Sequence, residues 1–205
     1  LSLKDMCQLD RLGDLLEAGV CSLKIEGRLK DANYVKNVVA AYSKQLNKII
    51  EENPGKYCRS SWGKVEYSFT PNLAKTFNRG FTHYFLDGRR DDISSFDTPK
   101  AMGEYVGYVK EIRRGSFNVA GTAMFANGDG LCFFTPDHKL HGFRVNRVEN
   151  NRLFPLTMPK NLVPGMALYR NNDIEFERAM QGKTATRKLQ VRFVVDVVDG
   201  KLTFT

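Results

Sequence analysis

The sequence predicts an α+β, multi-domain chain: the C-terminal βα unit of a TIM-like parallel barrel, followed by a small antiparallel β-barrel. The first part is indicated by an apolar run of strand length at residues 20–25, which follows Gly19 and is followed at once by Glu26 and Arg28. The second part is indicated by short β-rich runs after Pro99, separated by turn sequences rich in Gly and Asn. A single βα unit cannot close a barrel, so the remaining strands are expected upstream.

The composition is that of a folded, basic protein. Hydrophobic residues make up 42% and charged residues 26% of the 205 residues, which argues against disorder of the whole chain. No apolar run approaches the ~20 residues that cross a bilayer and no signal-peptide pattern opens the chain, which favours a cytoplasmic location without a membrane partner. The net charge of +8 favours a polyanionic partner such as RNA, although a basic solvated surface explains that charge equally well.

The first unit, residues 1–55, is predicted to contain a helix, a strand and a second helix. Ser2 and Asp5 fit a capping box that starts the first helix. The apolar stripe of that helix comprises Met6, Leu9, Leu12, Leu15 and Leu16. Asp31 is the predicted N-cap of the second helix, which the turn sequence at residues 53–55 ends.

Three further segments follow this unit. Residues 56–102 have weak periodicity and are predicted to be an irregular covering or linker segment, with one short helix that starts near residue 70. Residues 103–182 are predicted to form the antiparallel β-barrel. Residues 183–205 are predicted to form a β-hairpin around an Asp-Gly turn, as the start of a further element.

The charged residues at the end of the predicted strand are the candidate catalytic residues. Arg28 is suited to bind a phosphate or a carboxylate, and Glu26 to orient it or to act as a general base. Strand alternation places Lys24 on the same face as Glu26. The alternative is structural: an ion pair of Glu26 with Arg28 that closes the barrel end, and an internal salt bridge for Lys24.

A second group of polar residues is a candidate for substrate binding. Lys30 lies in the same loop as the catalytic candidates, and Asn78 and Arg79 form a polar turn in which Gly80 permits a positive φ. The alternative for this turn is structural, because it also buries the phenylalanines that flank it.

The chain shows neither a metal motif nor a hydrolase motif. Its four cysteines, Cys7, Cys21, Cys58 and Cys132, lack the spacing of a zinc site or of a disulfide framework. No GxSxG or HExxH string occurs in the sequence. Proteolysis by this chain alone is therefore not expected, and a protease would need catalytic machinery upstream.

Two strings resemble landmarks of peptidase family U32, the collagenase-like proteases. The first comprises residues 2–7 and 17–30, and the second comprises residues 77–82. The β-rich part, for example at residues 142–145, is similar to the family's C-terminal small barrel, itself like the second domain of elongation factor Tu. The resemblance implies a TIM-barrel-like N-terminal domain whose last βα unit lies in this chain.

The resemblance also implies a chemistry. It implies that relatives are needed to hydroxylate bases in ribosomal or transfer RNA, or the ring of a quinone precursor, with an iron–sulfur cluster on four cysteines. Three of these cysteines lie upstream of the Lys-Asp-x-Cys string, and the fourth matches Cys7. In the first turn of a helix the dipole favours a thiolate; the alternative is a helix cysteine half-buried against the sheet. We expect no cofactor in this chain alone and a [4Fe–4S] cluster in the full-length protein.

Three functions of different class remain open: an iron–sulfur-dependent RNA base hydroxylation factor, a protease with its machinery upstream, and a non-catalytic RNA- or protein-binding β-barrel. The first predicts cysteines upstream that complete a set with Cys7, and the second predicts an upstream nucleophile or metal site. The third predicts that the barrel binds RNA or protein unaided. The full-length protein is expected to be an enzyme and the chain alone to be inactive, with RNA and the upstream barrel domain as partners.

Overall fold

A computed structural model describes residues 2–204, and in that part of the chain it contains one closed β-barrel, four two-stranded sheets and three α-helices. In chain order the elements are β1 (Ser2–Leu3), β2 (Asp5–Met6), α1 (Leu12–Glu17), α2 (Ala32–Glu52), β3 (Lys64–Tyr67), a 3-10 turn (Leu73–Lys75), β4 (Phe81–Thr82), β5 (Ser94–Ser95), β6 (Glu104–Arg113), β7 (Ser116–Ala120), β8 (Gly130–Phe134), β9 (Leu140–Glu149), β10 (Arg152–Pro155), β11 (Ala167–Asn172), α3 (Ile174–Ala179), β12 (Ala185–Lys188), β13 (Val195–Val198) and β14 (Lys201–Phe204).

The barrel consists of six antiparallel strands that close in the order β10-β7-β6-β11-β8-β9. Its interior is filled by buried apolar side chains: Val106, Val109, Phe117, Leu131, Phe133, Val145, Leu153, Leu162 and Leu168. Closure pairs each of the six strands on both edges, which removes the edges that invite aggregation. The strands span residues 104–172, compared with the predicted 103–182. The likeness to the second domain of elongation factor Tu stays a prediction.

Two glycines let neighbouring backbone segments of the barrel approach closely. A Cβ added to Gly107 would lie 2.2 Å from the carbonyl oxygen of Ala120, and one added to Gly121 would lie 2.4 Å from that of Val106. The φ of Gly107 is also 123°, in the region that disfavours a side chain. Larger residues at either position would force β6 and β7 apart.

Helix α2 is the longest element, and its predicted N-cap is confirmed. The side-chain oxygen Oδ1 of Asp31 accepts a hydrogen bond from the backbone nitrogen of Tyr34 at 2.7 Å, and Asn53 is the C-cap. The buried residues of the helix are Asn37, Val38, Ala40, Ala41 and Ile49. This face supports the first part of the chain and, as described below, the segment that follows the barrel.

The prediction of a helix from Ser2 is wrong. β1 pairs antiparallel with β5 and β2 pairs parallel with β4, so the chain is extended there and α1 starts only at Leu12. A capping box is a local pattern, and here partners from residues 81–95 satisfy the same backbone groups. Cys7 therefore follows a strand, and the helix-dipole argument for its thiolate does not apply.

The prediction of a strand at residues 20–25 is also wrong for the described part of the chain. The segment lies outside every sheet of residues 2–204, and its apolar side chains Leu23 and Ile25 are exposed. The apolar pattern is that of a strand buried on both faces, which needs neighbouring strands to form. Because residues 20–25 do not form a strand in the described structure, strand alternation no longer places Lys24 on the same face as Glu26. The TIM-like barrel itself stays a prediction.

The segment after the barrel returns to the first part of the chain. Phe176 and Met180, in and after α3, pack against Ala40 of α2 and Phe69, and the rings of Phe69 and Phe176 meet edge to face at 6.1 Å. β12 then pairs antiparallel with β3. Residues 185–188, which the sequence groups with the final hairpin, therefore belong structurally with residues 64–67.

The final hairpin consists of β13 and β14, joined by Asp199 and Gly200. Both turn residues have positive φ values, 51° and 72°, as the tightest hairpin turns require. In the part of the chain that the structure describes, no helix combines the length and apolar character needed to cross a membrane.

Candidate active site at the ends of two parallel strands

The candidate site forms where two short parallel strands end side by side. Asp5 and Met6 of β2 pair with Phe81 and Thr82 of β4, and the backbone nitrogen of Cys7 donates to the carbonyl oxygen of Thr82 at 3.0 Å. The next residue after β2 is Cys7, and the next after β4 is a histidine. Side chains that follow the carboxyl ends of adjacent parallel strands meet at one edge, which is where α/β proteins place their chemistry.

A cleft of about 760 Å³ opens at this edge. It is lined by Cys7, Leu9, Asp10, Gln45, Phe81, Thr82, His83, Arg90 and Asp92, and we call it the Cys7 cleft. The lining combines a thiol, an imidazole, two carboxylates and a guanidinium with the apolar side chains of Leu9 and Phe81. It has the size and the mixture of polar groups that small-molecule sites in proteins have.

Tyr42 of α2 lies behind the thiol. Its hydroxyl accepts a hydrogen bond from the backbone nitrogen of Gln8 at 2.8 Å and lies 4.0 Å from Sγ of Cys7, to which it donates. Burial raises the pKa of Tyr42 to about 12, so the phenol keeps its proton at neutral pH. No local sequence signal connects Tyr42 to Cys7, because the two residues are 35 positions apart in the chain.

His83 lies between two carboxylates. Its Nδ1 is 3.0 Å from Oδ2 of Asp87 and its Nε2 is 3.0 Å from Oδ1 of Asp10, while Arg11 also pairs with Asp87. The hydrogen bond that the His83 ring donates to the Asp87 carboxylate is the main reason that the pKa of His83 is raised above its usual value. Both ring nitrogens are in use, so His83 serves here as a cationic link between the loop after β4 and the loop after β2.

This link makes the stability of the loop depend on pH. A raised pKa means that the imidazolium stabilises the fold fully below the ordinary histidine pKa of about 6.5, and that this contribution is lost as the pH rises through the raised value. We expect Asp87→Asn to lower the pKa of His83, as measured by an NMR titration of the imidazole. Asp97→Asn, which removes the carboxylate beside His138, is the control and should leave His83 unchanged. An unaltered His83 titration in Asp87→Asn would contradict this assignment.

Arg79 ties the two parallel strands together, and Asn78 braces the turn that leads into β4. The guanidinium of Arg79 binds both oxygens of Asp5, at 2.8 Å and 3.1 Å, and its backbone nitrogen donates to the same carboxylate at 2.8 Å. Asn78 is buried, and its amide donates to the carbonyl oxygens of Ala74 and Thr76 at 3.0 Å. These contacts are structural, and the roles of Asn78 and Arg79 in substrate binding stay predictions.

The structure brings Lys30 and Arg79 together on one aromatic ring. Nζ of Lys30 lies 3.3 Å from the centroid of Phe77, and the guanidinium carbon of Arg79 lies 5.4 Å from it. The loop after residue 25 thus packs against the turn at residues 77–82. Two of the three predicted substrate-binding residues are therefore neighbours in space.

The predicted catalytic residues lie in an exposed turn. Oε1 of Glu26 accepts a hydrogen bond from the backbone nitrogen of Arg28 at 2.9 Å, and the residues Lys24, Glu26 and Arg28 are all exposed. The described structure contains no ion pair between Glu26 and Arg28, and neither residue lines the Cys7 cleft. Their catalytic roles stay predictions.

Cys7 is the one cysteine that lines the cleft. Cys132 is buried in the barrel, where burial raises its pKa to about 12, and Cys21 and Cys58 are exposed beside another cleft. Within residues 2–204, no group of three or more His, Cys, Asp or Glu side chains is arranged to hold a metal ion. The donor set here fits one ligand of a cluster, and further ligands would have to come from outside the described residues.

Comparison with known proteins places this site in a family. Residues 1–95 match the model of peptidase family U32, which confirms the resemblance of the sequence strings. The chain is 42% identical over 199 residues to the 23S rRNA 5-hydroxycytidine synthase of Escherichia coli, covering 93% of this chain and 30% of that protein. It is 35% identical over 107 residues to an uncharacterized protease of Methanocaldococcus jannaschii, covering 51% of this chain and 24% of that protein.

A third relative is tRNA hydroxylation protein P1 of Bacillus subtilis, which is 26% identical over 142 residues, covering 67% of this chain and 32% of that protein. The chain thus spans 24% to 32% of the length of these three relatives. No solved structure gives a significant match to the chain.

Proposed function

Because this chain belongs to peptidase family U32, we propose that it forms part of a larger enzyme that hydroxylates a base in RNA. The observation that carries the proposal is its similarity, over 93% of its length, to a protein named for making 5-hydroxycytidine in 23S rRNA. The net charge of +8 suits an RNA partner, since neutralised phosphates release counterions. A cytoplasmic location is part of the same proposal.

In this enzyme Cys7 is one ligand of a [4Fe–4S] cluster whose other cysteines lie outside the described residues. The proposal is supported by the position of Cys7 in a cleft and by its match to the family's cysteine string. When bound, such a cluster supplies electron transfer. The contribution of this chain is to fix Sγ at the strand end and to donate a hydrogen bond from Tyr42, which tunes a sulfur ligand.

The function is tested by the nucleosides of cellular RNA. Mass spectrometry of nucleosides from ribosomal and transfer RNA should show one hydroxylated base that disappears when the gene is deleted. The base should return when the full-length gene is restored. RNA whose nucleosides are the same with and without the gene would exclude the proposed function.

A protease is the second candidate, favoured by the similarity to the uncharacterized protease of M. jannaschii. Within this chain the similarity brings no hydrolase machinery: no GxSxG or HExxH string occurs, and both nitrogens of His83 are bound by carboxylates. If the full-length protein is the proposed hydroxylation enzyme, casein and denatured collagen should remain intact when incubated with it. Cleavage of either substrate by the wild-type protein, together with unchanged RNA nucleosides after deletion of the gene, would favour the protease.

Arg28 is the predicted catalytic residue best suited to mutation. Its side chain is exposed, so Arg28→Ala removes a cation with no packing loss, and we expect the variant to lose RNA hydroxylation while its melting temperature stays that of the wild type. The measurement is the hydroxylated nucleoside together with thermal unfolding. Arg114→Ala, in the exposed turn between β6 and β7, is the matched control. If stability and activity fell together in Arg28→Ala, a structural role would be the better explanation.

A further inference from the structure

The loop at residues 83–90, which leaves the Cys7 cleft after β4, presents two aromatic rings to solvent; we call it the aromatic loop. Tyr84 and Phe85 have ring centroids 4.1 Å apart and planes inclined at 38°, and they are 40% and 43% exposed. Leu86 next to them is 45% exposed. Three successive large apolar side chains in water are uncommon unless they bind something.

The loop is braced in this conformation. Tyr84 has φ of 56°, a left-handed value that bulky residues rarely adopt and that surrounding contacts must stabilise. The backbone nitrogen of Tyr84 donates to Oγ1 of Thr82 at 3.0 Å, and that of Leu86 donates to the carbonyl oxygen of His83 at 3.2 Å. Asp87 ties the far side of the loop to His83 and Arg11. The aromatic pair is therefore held outward by the surrounding hydrogen bonds and ion pairs.

Two arginines follow the aromatic pair in sequence, between Asp87 and the acidic residues 91–92. Arg89 and Arg90 follow in the same loop, both are exposed, and Arg90 also lines the Cys7 cleft. Exposed guanidinium groups close in sequence to exposed aromatic rings are a combination found in proteins that bind single-stranded RNA, where the cations contact phosphates and the rings stack on bases. An enzyme that modifies a base must also take that base out of its stack.

We propose that the aromatic loop is a base-stacking platform for single-stranded RNA at the entrance of the Cys7 cleft. One base stacks on Tyr84 and Phe85, Arg89 contacts the backbone phosphate, and the neighbouring base reaches the cleft beside Cys7. This inference rests on the proposed function, because it assumes that RNA is the substrate.

The test uses the full-length protein and a single-stranded RNA of about 12 nucleotides that carries one 2-aminopurine. Fluorescence anisotropy gives the Kd, and quenching of 2-aminopurine reports stacking. Replacing Tyr84 and Phe85 together by Ala should raise the Kd about tenfold and abolish the quenching, whereas Tyr84→Phe should preserve both. Phe96→Ala is the control, because this ring is 71% exposed but lies outside the aromatic loop, just after β5. The variant should bind RNA as the wild type does.

Arg89 is tested by the salt dependence of binding. In Arg89→Ala the slope of log Kd against log salt concentration should fall by the amount that one phosphate contact contributes. The quenching of 2-aminopurine should not change. Equal Kd and equal quenching in the wild type and the double Ala variant would overturn the platform. This is the result expected if another part of the full-length protein, and not RNA, packs on the aromatic loop.

The two proposals fail in different ways. If the double Ala variant binds RNA normally while the wild type forms the hydroxylated nucleoside in cells, the platform is wrong and the function stands. If the platform binds RNA but deletion of the gene leaves every nucleoside unchanged, the function is wrong and the binding site stands.

Discussion

Replacement of Cys7 by Ser in the full-length protein is expected to remove its iron and abolish RNA hydroxylation. A [4Fe–4S] cluster is held by four cysteine thiolates, and a serine hydroxyl at the same position does not replace a thiolate ligand. The thiol lies at the end of β2, half-buried in the cleft and 4.0 Å from the hydroxyl of Tyr42, so its loss removes the ligand with little change in packing. Iron and sulfide assays and the visible absorbance of anaerobically purified protein measure the effect.

The matched control is Cys58→Ser, at an exposed cysteine that lies outside the Cys7 cleft. It should keep the iron content and absorbance of the wild type. The 205-residue chain alone should be colourless, because the proposed cluster takes its other ligands from outside this chain. An iron-free wild type, or the same iron content in wild type and Cys7→Ser, would remove Cys7 from the site and favour the protease hypothesis.

Replacement of Arg170 by Met is expected to lower the free energy of unfolding by about 3–5 kcal/mol. The guanidinium is 6% exposed and binds three carboxylates, those of Glu104 at 2.7 Å, Asp173 at 3.1 Å and Asp129 at 3.3 Å. Methionine fills a similar volume but leaves the fully buried Asp129 and the partly buried Glu104 without their cation, while Asp173 keeps Lys75. Removing one partner of a buried charge network is the costly way to break it. Urea unfolding followed by circular dichroism measures the change.

Asp173 adds a pH dependence to this network. Burial alone would raise its pKa, but hydrogen bonds from Lys75 and from the backbone nitrogen of Phe176, together with the charge of Arg170, hold its pKa below the usual value. A lowered pKa means that the contribution to stability is present above the ordinary Asp pKa of about 3.9 and is lost as the pH falls through the lowered value.

The surface pair of Arg113 with Glu111 provides the comparison for Arg170. Arg113 is 69% exposed, so Arg113→Met should change the free energy of unfolding by less than about 1 kcal/mol. A similarly small effect of Arg170→Met would mean that the three carboxylates are protonated or solvated when the arginine is gone. The buried network would then not stabilise the junction between the barrel and α3.

Elements whose backbone finds partners within a few residues could be predicted from the sequence. Asp31 caps α2 through a nitrogen three residues away, and Asp199 and Gly200 form a turn whose positive φ values their residue types favour. The β-rich runs after residue 103 likewise carry turn residues between them, and the strands that close into the barrel lie there. The family could be recognised from short strings for the same reason, since each string is contiguous.

The candidate site could be predicted only in part. Cys7 was identified from the family string, but the capping pattern at Ser2 placed it in a helix, whereas β2 and β4 are two-residue strands with no readable period. Tyr42, Asp87 and His83 are not predictable as site residues, because no local signal in the sequence connects them to Cys7. A clue was present at residues 77–82, where the second family landmark ends directly before His83.

The amino-acid sequence alone indicates the capped helix α2, the final turn, the position of the β-rich region and the match to family U32. Contacts between distant segments bring Cys7 and His83 together at the ends of parallel strands, and they leave residues 20–25 with a strand pattern but no described strand partner. The physical reason is that a helix satisfies its hydrogen bonds within one segment. A strand depends on a partner that is distant in sequence, and the pattern of one strand does not specify which partner that is.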